Sequence, residues 1–402
     1  MNTIQPTFYL CRYDHPHDRV YAENILEFFD ASGIHARVIE LGRDGQRPEL
    51  LECMREDSMG VLGFNAQLAH SYVNSSKFLD MAEARKLPVI QWVMDHPSTR
   101  YHELDGSTAT NSRFLFMSEF SRQYFHRYVM PDALTAATVG IGANRLSRID
   151  HLSRPAFFRR DINCLIPLLL KRVGGHIEQI EARMLALEPK TNSAVGDAIE
   201  RALYDLDRPI ETHLLDALDA ARLKLHIDSF NTCVQIVEEM VQIQRRTLVL
   251  KSARNFPLLV QSDVASRWWG EGATARLEEN VDMRMTFERM GRSRAVLSVS
   301  HVNDEIHDRT LNGLNAGCVN IVEDNVVHRR VFRHGENALL FRYGDDSLQE
   351  SLDIVCNNPA RGYEIALAGF ALRDDPRFRF GGFDNIVKLA KQPLPNHAPT
   401  GG

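Results

Sequence analysis

Ala295-Val-Leu-Ser-Val-Ser300, then Asp304-Glu-Ile-His-Asp-Arg-Thr-Leu-Asn-Gly-Leu-Asn-Ala316, then Gly317 and Cys318-Val-Asn-Ile-Val322 decide the fold. The outer runs are short, apolar and β-branched, as buried strands are, whereas the middle segment has helical spacing. Asp304 is placed to cap that helix and Gly317 to stop it. A strand, a helix and a strand in so few residues make a βαβ unit, whose strands run parallel.

The same alternation extends in both directions. Downstream, helices are expected at Val326–His334 and Ser347–Cys356, with a strand at Ala338–Phe341. Upstream lie a strand at Phe256–Val260 and a helix at Leu277–Met290. Further back, Asn163–Leu170 reads as a strand ending at Lys171-Arg-Val-Gly-Gly175, followed by a helix and an almost wholly helical block over 192–246. The N-terminal part reads likewise. Strands are expected at Phe8–Arg12, Ala36–Leu41, Met59–Phe64, Pro88–Met94, Phe114–Met117 and Ala136–Ile141, with helices at Val20–Phe29, Glu49–Glu56 and Lys77–Lys86. The pattern is interrupted at about 145–160. The expectation is therefore an α/β protein of two Rossmann-like domains facing across a cleft, 1–150 and 151–392, with a helical insertion at about 176–246 and a Pro/Gly-rich tail at 393–402.

Composition excludes several classes. The 402 residues carry 47 Lys and Arg against 53 Asp and Glu, a net charge of −6, which argues against a nucleic-acid polymer as partner. The apolar run Cys164–Leu170 is far shorter than the ~18–20 residues that cross a bilayer. The N-terminus lacks the basic head and apolar run of a signal peptide. Six scattered cysteines with no Cys-x-x-Cys read as buried thiols in a reducing compartment, hence a soluble cytoplasmic protein.

Two segments carry candidate chemistry. Lys171-Arg172 at a strand end, with Gly174-Gly175 and a helix behind them, suits a phosphate or diphosphate; the alternative is a surface turn with solvated cations. In the expected helix, Asp304 and Asn312 stand eight residues apart, roughly 80° around the axis, and Arg309 and Asn312 are an i, i+3 pair able to address one ligand. The alternative is a polar helix face. Tyr204-Asp-Leu-Asp207 has the form of an Asp-x-Asp metal motif but lies in helical context, and no His-Glu-x-x-His is present, so no metal site is expected. Trp268-Trp269 suits stacking on a base or sugar, or packing at a domain edge.

The run His307–Ile321, with Phe332-Arg-His-Gly-Glu-Asn-Ala-Leu-Leu-Phe341 and Tyr343-Gly-Asp-Asp-Ser-Leu348, resembles the C-terminal donor half of GT-B glycosyltransferases. It is most similar to the branch related to spore-maturation glycosyltransferases, where Arg309 and Gly317 match an Arg-x-x-Glu-x-x-x-x-Gly helix and Asp95-His96-Pro97 resembles an Asp-x-Pro strand ending. Asn312 stands where many such enzymes carry a ribose-holding Glu. The resemblance implies a bacterial, cytoplasmic glycosyltransferase that uses a UDP-, GDP- or dTDP-sugar without a metal or further cofactor. Lys171, Arg172 and Arg309 would neutralise the diphosphate. His307, Asn312, Asn315 and Asn325 would stand at the donor, beside the free N–H groups of the helix after Asn325. The acceptor (a glycan, lipid-linked glycan or protein) would meet a base from Asp14-His15 or Asp95-His96. A non-catalytic nucleotide-sugar-binding or scaffolding protein and a nucleotide-sugar epimerase are the alternatives, and the helical block could serve a homo-oligomer.

Overall fold

Val, Ile, Leu and Phe concentrate in the short runs that become strands, and those strands assemble into two wholly parallel sheets. The computed structural model describes residues 6–393 apart from 43–45, 66, 106–110, 139, 141, 168–170, 263–272, 280–281 and 301–303. The chain divides into two units, Met1–Ile141 with Phe380–Gly402, and Gly142–Arg379.

In the first unit the order is β1 (Thr7–Tyr13), α1 (Pro16–Ala31), β2 (His35–Leu41), β3 (Ser58–Phe64), a small hairpin of β4 (Tyr72–Val73) and β5 (Ser76–Lys77), α2 (Phe78–Ala84), β6 (Val89–Val93), α3 (Tyr101–Asp105), β7 (Ser112–Phe116), α4 (Glu119–Tyr128) and β8 (Leu134–Ala137). The six-stranded sheet runs β2-β1-β3-β6-β7-β8. Every residue of β6 and β7 is buried, as both faces of a parallel sheet require, whereas the edge strand β2 exposes His35, Arg37 and Glu40 and buries Ile39 and Leu41. Period-two alternation sorts the core into two layers. Tyr9, Cys11, Val61, Val93 and Phe116 face α2 and α4, while Phe8, Leu10, Leu62, Phe64 and Trp92 face α1.

The second unit holds α5 (Arg154–Phe158), β9 (Ile162–Pro167), four helices α6 (Lys171–Leu185), α7 (Pro189–Tyr204), α8 (Ile210–Ala220) and α9 (Ile227–Ala253), then β10 (Leu259–Ser262), β11 (Arg276–Glu279), α10 (Met283–Arg292), β12 (Ser293–Ser298), α11 (Asp308–Asn315), β13 (Val319–Glu323), α12 (Val326–Val331), β14 (Leu339–Phe341), α13 (Ser347–Asn357), α14 (Pro359–Phe370) and α15 (Pro376–Arg379). Its sheet runs β11-β10-β9-β12-β13-β14. This is the 3-2-1-4-5-6 order of a dinucleotide-binding fold, with its direction reversing between β9 and β12. The first crossover, one helix in a minimal unit, is here the four-helix block α6–α9.

Several expectations need correction. The division falls at Ile141/Gly142 rather than at 150, and the chain returns to the first unit from Phe380. There α16 (Asp384–Lys391) sets Ile386, Leu389 and Ala390 into the layer beneath α1, and Phe383 meets Trp92 edge-on at 5.5 Å. Apolar spacing in a sequence does not say which sheet a helix covers. Glu49–Glu56 is not an α-helix; Pro48–Met54 forms a 3₁₀ turn. The span Leu277–Met290 divides into the edge strand β11 and the helix α10, because Asp282 caps the helix by accepting from Met285 N–H. The helix expected from Asp304 starts at Asp308 instead, capped by His307. Gly317 does end it. With φ +64 it lets Gly317 N–H reach Leu314 O (3.0 Å) and Cys318 N–H reach Gly313 O (2.9 Å). Arg160, 8% exposed, donates to the carbonyls of Ala316, Gly317 and Ser293 at 2.7–2.8 Å and fixes that helix end on the sheet. All six cysteines are free thiols, and five are buried. Among the described residues no helix is long and apolar enough to cross a membrane.

Candidate functional site

Ligands of open parallel sheets sit beyond the carboxyl ends of the strands where the order reverses. In the second unit that point is the end of β9 and β12. The backbone of Lys171, Arg172, Gly174 and Gly175 forms the first turn of α6, so the two glycines lie inside the helix rather than in a loop before it. The side chains of Lys171 and Arg172 lie outside the described residues, as do Trp268 and Trp269.

Beyond β12 a buried polar network takes over. The carboxylate of Glu323, 1% exposed at the end of β13, accepts from Ser300 N–H through Oε2 (2.9 Å) and from the Tyr343 hydroxyl through Oε1 (2.6 Å). Burial, reinforced by Glu323, raises the Tyr343 hydroxyl well above its ordinary pKa, so it remains a donor. The Arg245 guanidinium lies over the Tyr343 ring, 5.4 Å from its centroid, and donates to Ala202 O (2.6 Å) and Leu203 O (3.3 Å) at the end of α7. A chain of contacts thus runs from the four-helix block to Ser300, two residues beyond β12.

That segment brings Asp304, Glu305, His307 and Asp308 together, all buried. Burial pushes the Glu305 carboxyl up to about 7, with Asp308 and Asp304 acting in the same direction and His307 and Arg309 against it. A carboxyl poised near neutrality at a strand end is equipped to exchange a proton. Glu305 was missed in the sequence; its signal was the dense Asp-Glu-Ile-His-Asp-Arg run directly after a buried strand.

The residues singled out in α11 behave differently from expectation. Asn312 is 1% exposed; its Oδ1 accepts from Asn144 N–H (2.8 Å) and the Ser147 hydroxyl (2.7 Å), while its Nδ2 donates to Asp308 O (2.8 Å). Three of its four hydrogen-bonding positions are committed to protein partners, and through them it braces the 144–147 turn. Asn315 joins it, donating to Asn144 O at 3.2 Å. His307 caps α11, its Nδ1 accepting from Arg309 N–H at 3.3 Å and lying against the Asp308 carboxylate. Asn325, fully buried, caps α12 by accepting from His328 N–H at 2.8 Å. Half-buried Arg309 stays beside the Glu305 cluster. Asp207 pairs with Arg329, and among the described residues no three His, Cys, Asp or Glu side chains are grouped to hold a metal.

In the first unit the order reverses between β1 and β3, and a cavity of about 560 Å³ opens there, lined by Tyr13, Asp14, His15, Asn65 and Arg47 among others. Asp14 and His15 therefore reach one cavity, with Asp14 ion-paired to Arg19. Asp95 is held by Arg100 at 3.2 Å. His96 is 5% exposed, accepts from Ser98 N–H at 3.3 Å to cap the turn Pro97–Arg100, and is lowered by burial to a pKa of about 3. Its imidazole lone pair is already spent on that cap, so His96 does not fit the role of a base.

Residues 245–374 match a family model described as glycosyl transferase-like, a span that takes in Arg245, Glu305, α11, Glu323 and Tyr343. In structure, the DNA-modifying enzyme β-glucosyltransferase superposes with a TM-score of 0.51 at 8% identity, over 96% of this chain and 100% of the other. The T4 phage enzyme in complex with its UDP-glucose substrate gives 0.50 at 8% identity over the same shares. The fold is a GT-B glycosyltransferase fold. HepE of Anabaena, solved with UDP and glucose, aligns at 10% identity over 96% of this chain and 98% of the other, with a TM-score of 0.48. No curated protein matches the chain in sequence. The matched residues carry the ends of β12 and β13, where the buried Glu323–Ser300 bond and the Glu305 cluster lie.

Proposed function

We propose that this protein is a glycosyltransferase that takes a sugar from a nucleotide-diphosphate donor at the carboxyl end of the second sheet. The observation that carries this reading is that the glycosyl transferase-like match covers the end of β12, one of the two strand ends at which the sheet order reverses. Lys171 and Arg172, in the first turn of α6, are assigned to the diphosphate, where two cations and the free N–H groups of a helix start offset the charge of the leaving group without a metal. Arg309 is assigned to the same group. Glu305 serves as a proton-exchanging carboxyl at the donor, and Asp14 and His15 stand on the acceptor side. The branch related to spore-maturation enzymes, and with it a bacterial, cytoplasmic setting, is part of this reading.

UDP-, GDP- and dTDP-sugars at saturating concentration test it. One of them stabilises the protein and is consumed with release of the nucleoside diphosphate, and Lys171→Ala weakens its binding. Stabilisation without turnover across sugar, lipid-linked and peptide acceptors supports the scaffolding alternative; isomerisation of the donor sugar supports the epimerase.

A further inference from the structure

The first-unit cavity contains a feature for which the donor chemistry has no use. Arg47 lines it while only 4% exposed. Its guanidinium donates to Gly42 O and to the Tyr13 hydroxyl (2.6 Å), both neutral oxygens, and lies over the Tyr13 ring, 4.8 Å from its centroid. Among the described residues its Nε has no hydrogen-bond partner. Arginine does not shed its proton, and a buried charge without a counter-charge is unfavourable. Among the described residues, the carboxylates that line the cavity are engaged elsewhere. Asp14 is paired with Arg19, Asp18 accepts from Tyr13 N–H (3.2 Å) and Gln67 Nε2 (3.1 Å), and Glu103 is paired with Arg100 at 3.0 Å.

The wall around Arg47 supplies donors. Asn65, at the end of β3 in the left-handed region (φ 45), spends its Oδ1 on Met94 N–H at 2.9 Å, which leaves its amide protons. The Tyr13 hydroxyl accepts from Arg47 and keeps its own proton to give. His70 is exposed at the rim. A backbone held in a sparsely populated region at the end of a switch-point strand is a mark of ligand sites.

We infer that this cavity binds an anionic group, phosphate or carboxylate, carried by the acceptor substrate, with Arg47 supplying the counter-charge. The inference rests on the glycosyltransferase reading only in naming the ligand an acceptor. An anionic end seated against Arg47 leaves the acceptor hydroxyl toward His15 and Asp14, which line the same cavity. About 560 Å³ accommodates a monosaccharide-sized ligand.

Titration calorimetry on the full chain with glucose 6-phosphate, glucuronate and glucose, each with and without saturating UDP, tests it. At least one charged sugar binds ten-fold or more tightly than glucose, and the stronger of the two identifies the anion as phosphate or carboxylate. Arg47→Gln removes that preference. His70→Glu, an exposed change that leaves the core intact, weakens the charged sugar several-fold and decides the matter if Arg47→Gln fails to fold. UDP affinity stays unchanged in both variants. Equal affinity for charged and neutral sugars, or charged-sugar binding indifferent to both substitutions, overturns the inference. Failure of UDP to bind the unaltered protein while the charged sugar still binds through Arg47 and His70 rejects the donor assignment instead.

Discussion

Glu305 offers a thermodynamic signature that a pH series can read. Its carboxyl ordinarily ionises near 4.5 and in the fold near 7, so the native chain holds a proton that the unfolded chain has already lost over that interval. Where the native state binds more protons, stability falls as pH rises. The contribution is intact below pH 4.5, declines through the interval and is gone above pH 7. At about 1.4 kcal/mol per pH unit the loss is roughly 3 kcal/mol. Buried His96, His213 and His328, whose pKa values burial lowers, act in the opposite sense as pH rises toward 6.5. The test is therefore a difference. Urea unfolding of the native protein and of Glu305→Gln, which stays neutral at every pH, is followed from pH 4.5 to 8. The stability of the native protein relative to the variant declines by about 3 kcal/mol across that range. A difference that stays flat refutes the placement of Glu305 in an apolar, acid-rich site.

Further substitutions probe the supports of the site. Arg160→Met strands two buried carbonyls at the end of α11 and one at the start of β12 and costs about 3 kcal/mol in chemical denaturation; a loss under about 1 kcal/mol counts against the capping role. Phe383→Ala removes a ring packed on Trp92 and Phe28, lowering stability by about 3–5 kcal/mol and changing the environment of Trp92 fluorescence; an unaltered spectrum contradicts the docking of the C-terminal segment on the first sheet. Glu323→Gln keeps the size but gives up one of two acceptors, loosening either Ser300 or Tyr343. It costs about 2 kcal/mol of stability and raises the donor KM, whereas an unchanged KM separates the network from donor binding.

How far the sequence could be read depended on how local each signal was. Parallel strands carry their signal in their own residues, since burial on both faces demands runs such as Val89–Val93, and so nearly every strand was legible. The edge strand Arg276–Glu279 was not, because one apolar residue in four is indistinguishable from a helix start. Gly317 was legible since a left-handed helix stop demands a residue without a Cβ; the Gly317 Cβ would also meet Leu152 at 3.0 Å. Long-range partners left no such trace. Nothing near Asn312 shows that its amide is consumed by Asn144 and Ser147, more than 160 positions away, or that Glu323 holds Ser300. That the described partners of Arg47 are the neutral oxygens of Gly42 and Tyr13 became visible only in the fold.

The most direct measurement of the central claim is the thermal stability of the full chain with UDP-, GDP- and dTDP-sugars at a hundred times the dissociation constant, beside Lys171→Ala. One donor is predicted to stabilise the native protein by about 2.7 kcal/mol, and the variant to lose most of that gain at the same concentration. No stabilisation by any of the three, or an equal gain in the variant, contradicts a nucleotide-diphosphate site at the start of α6.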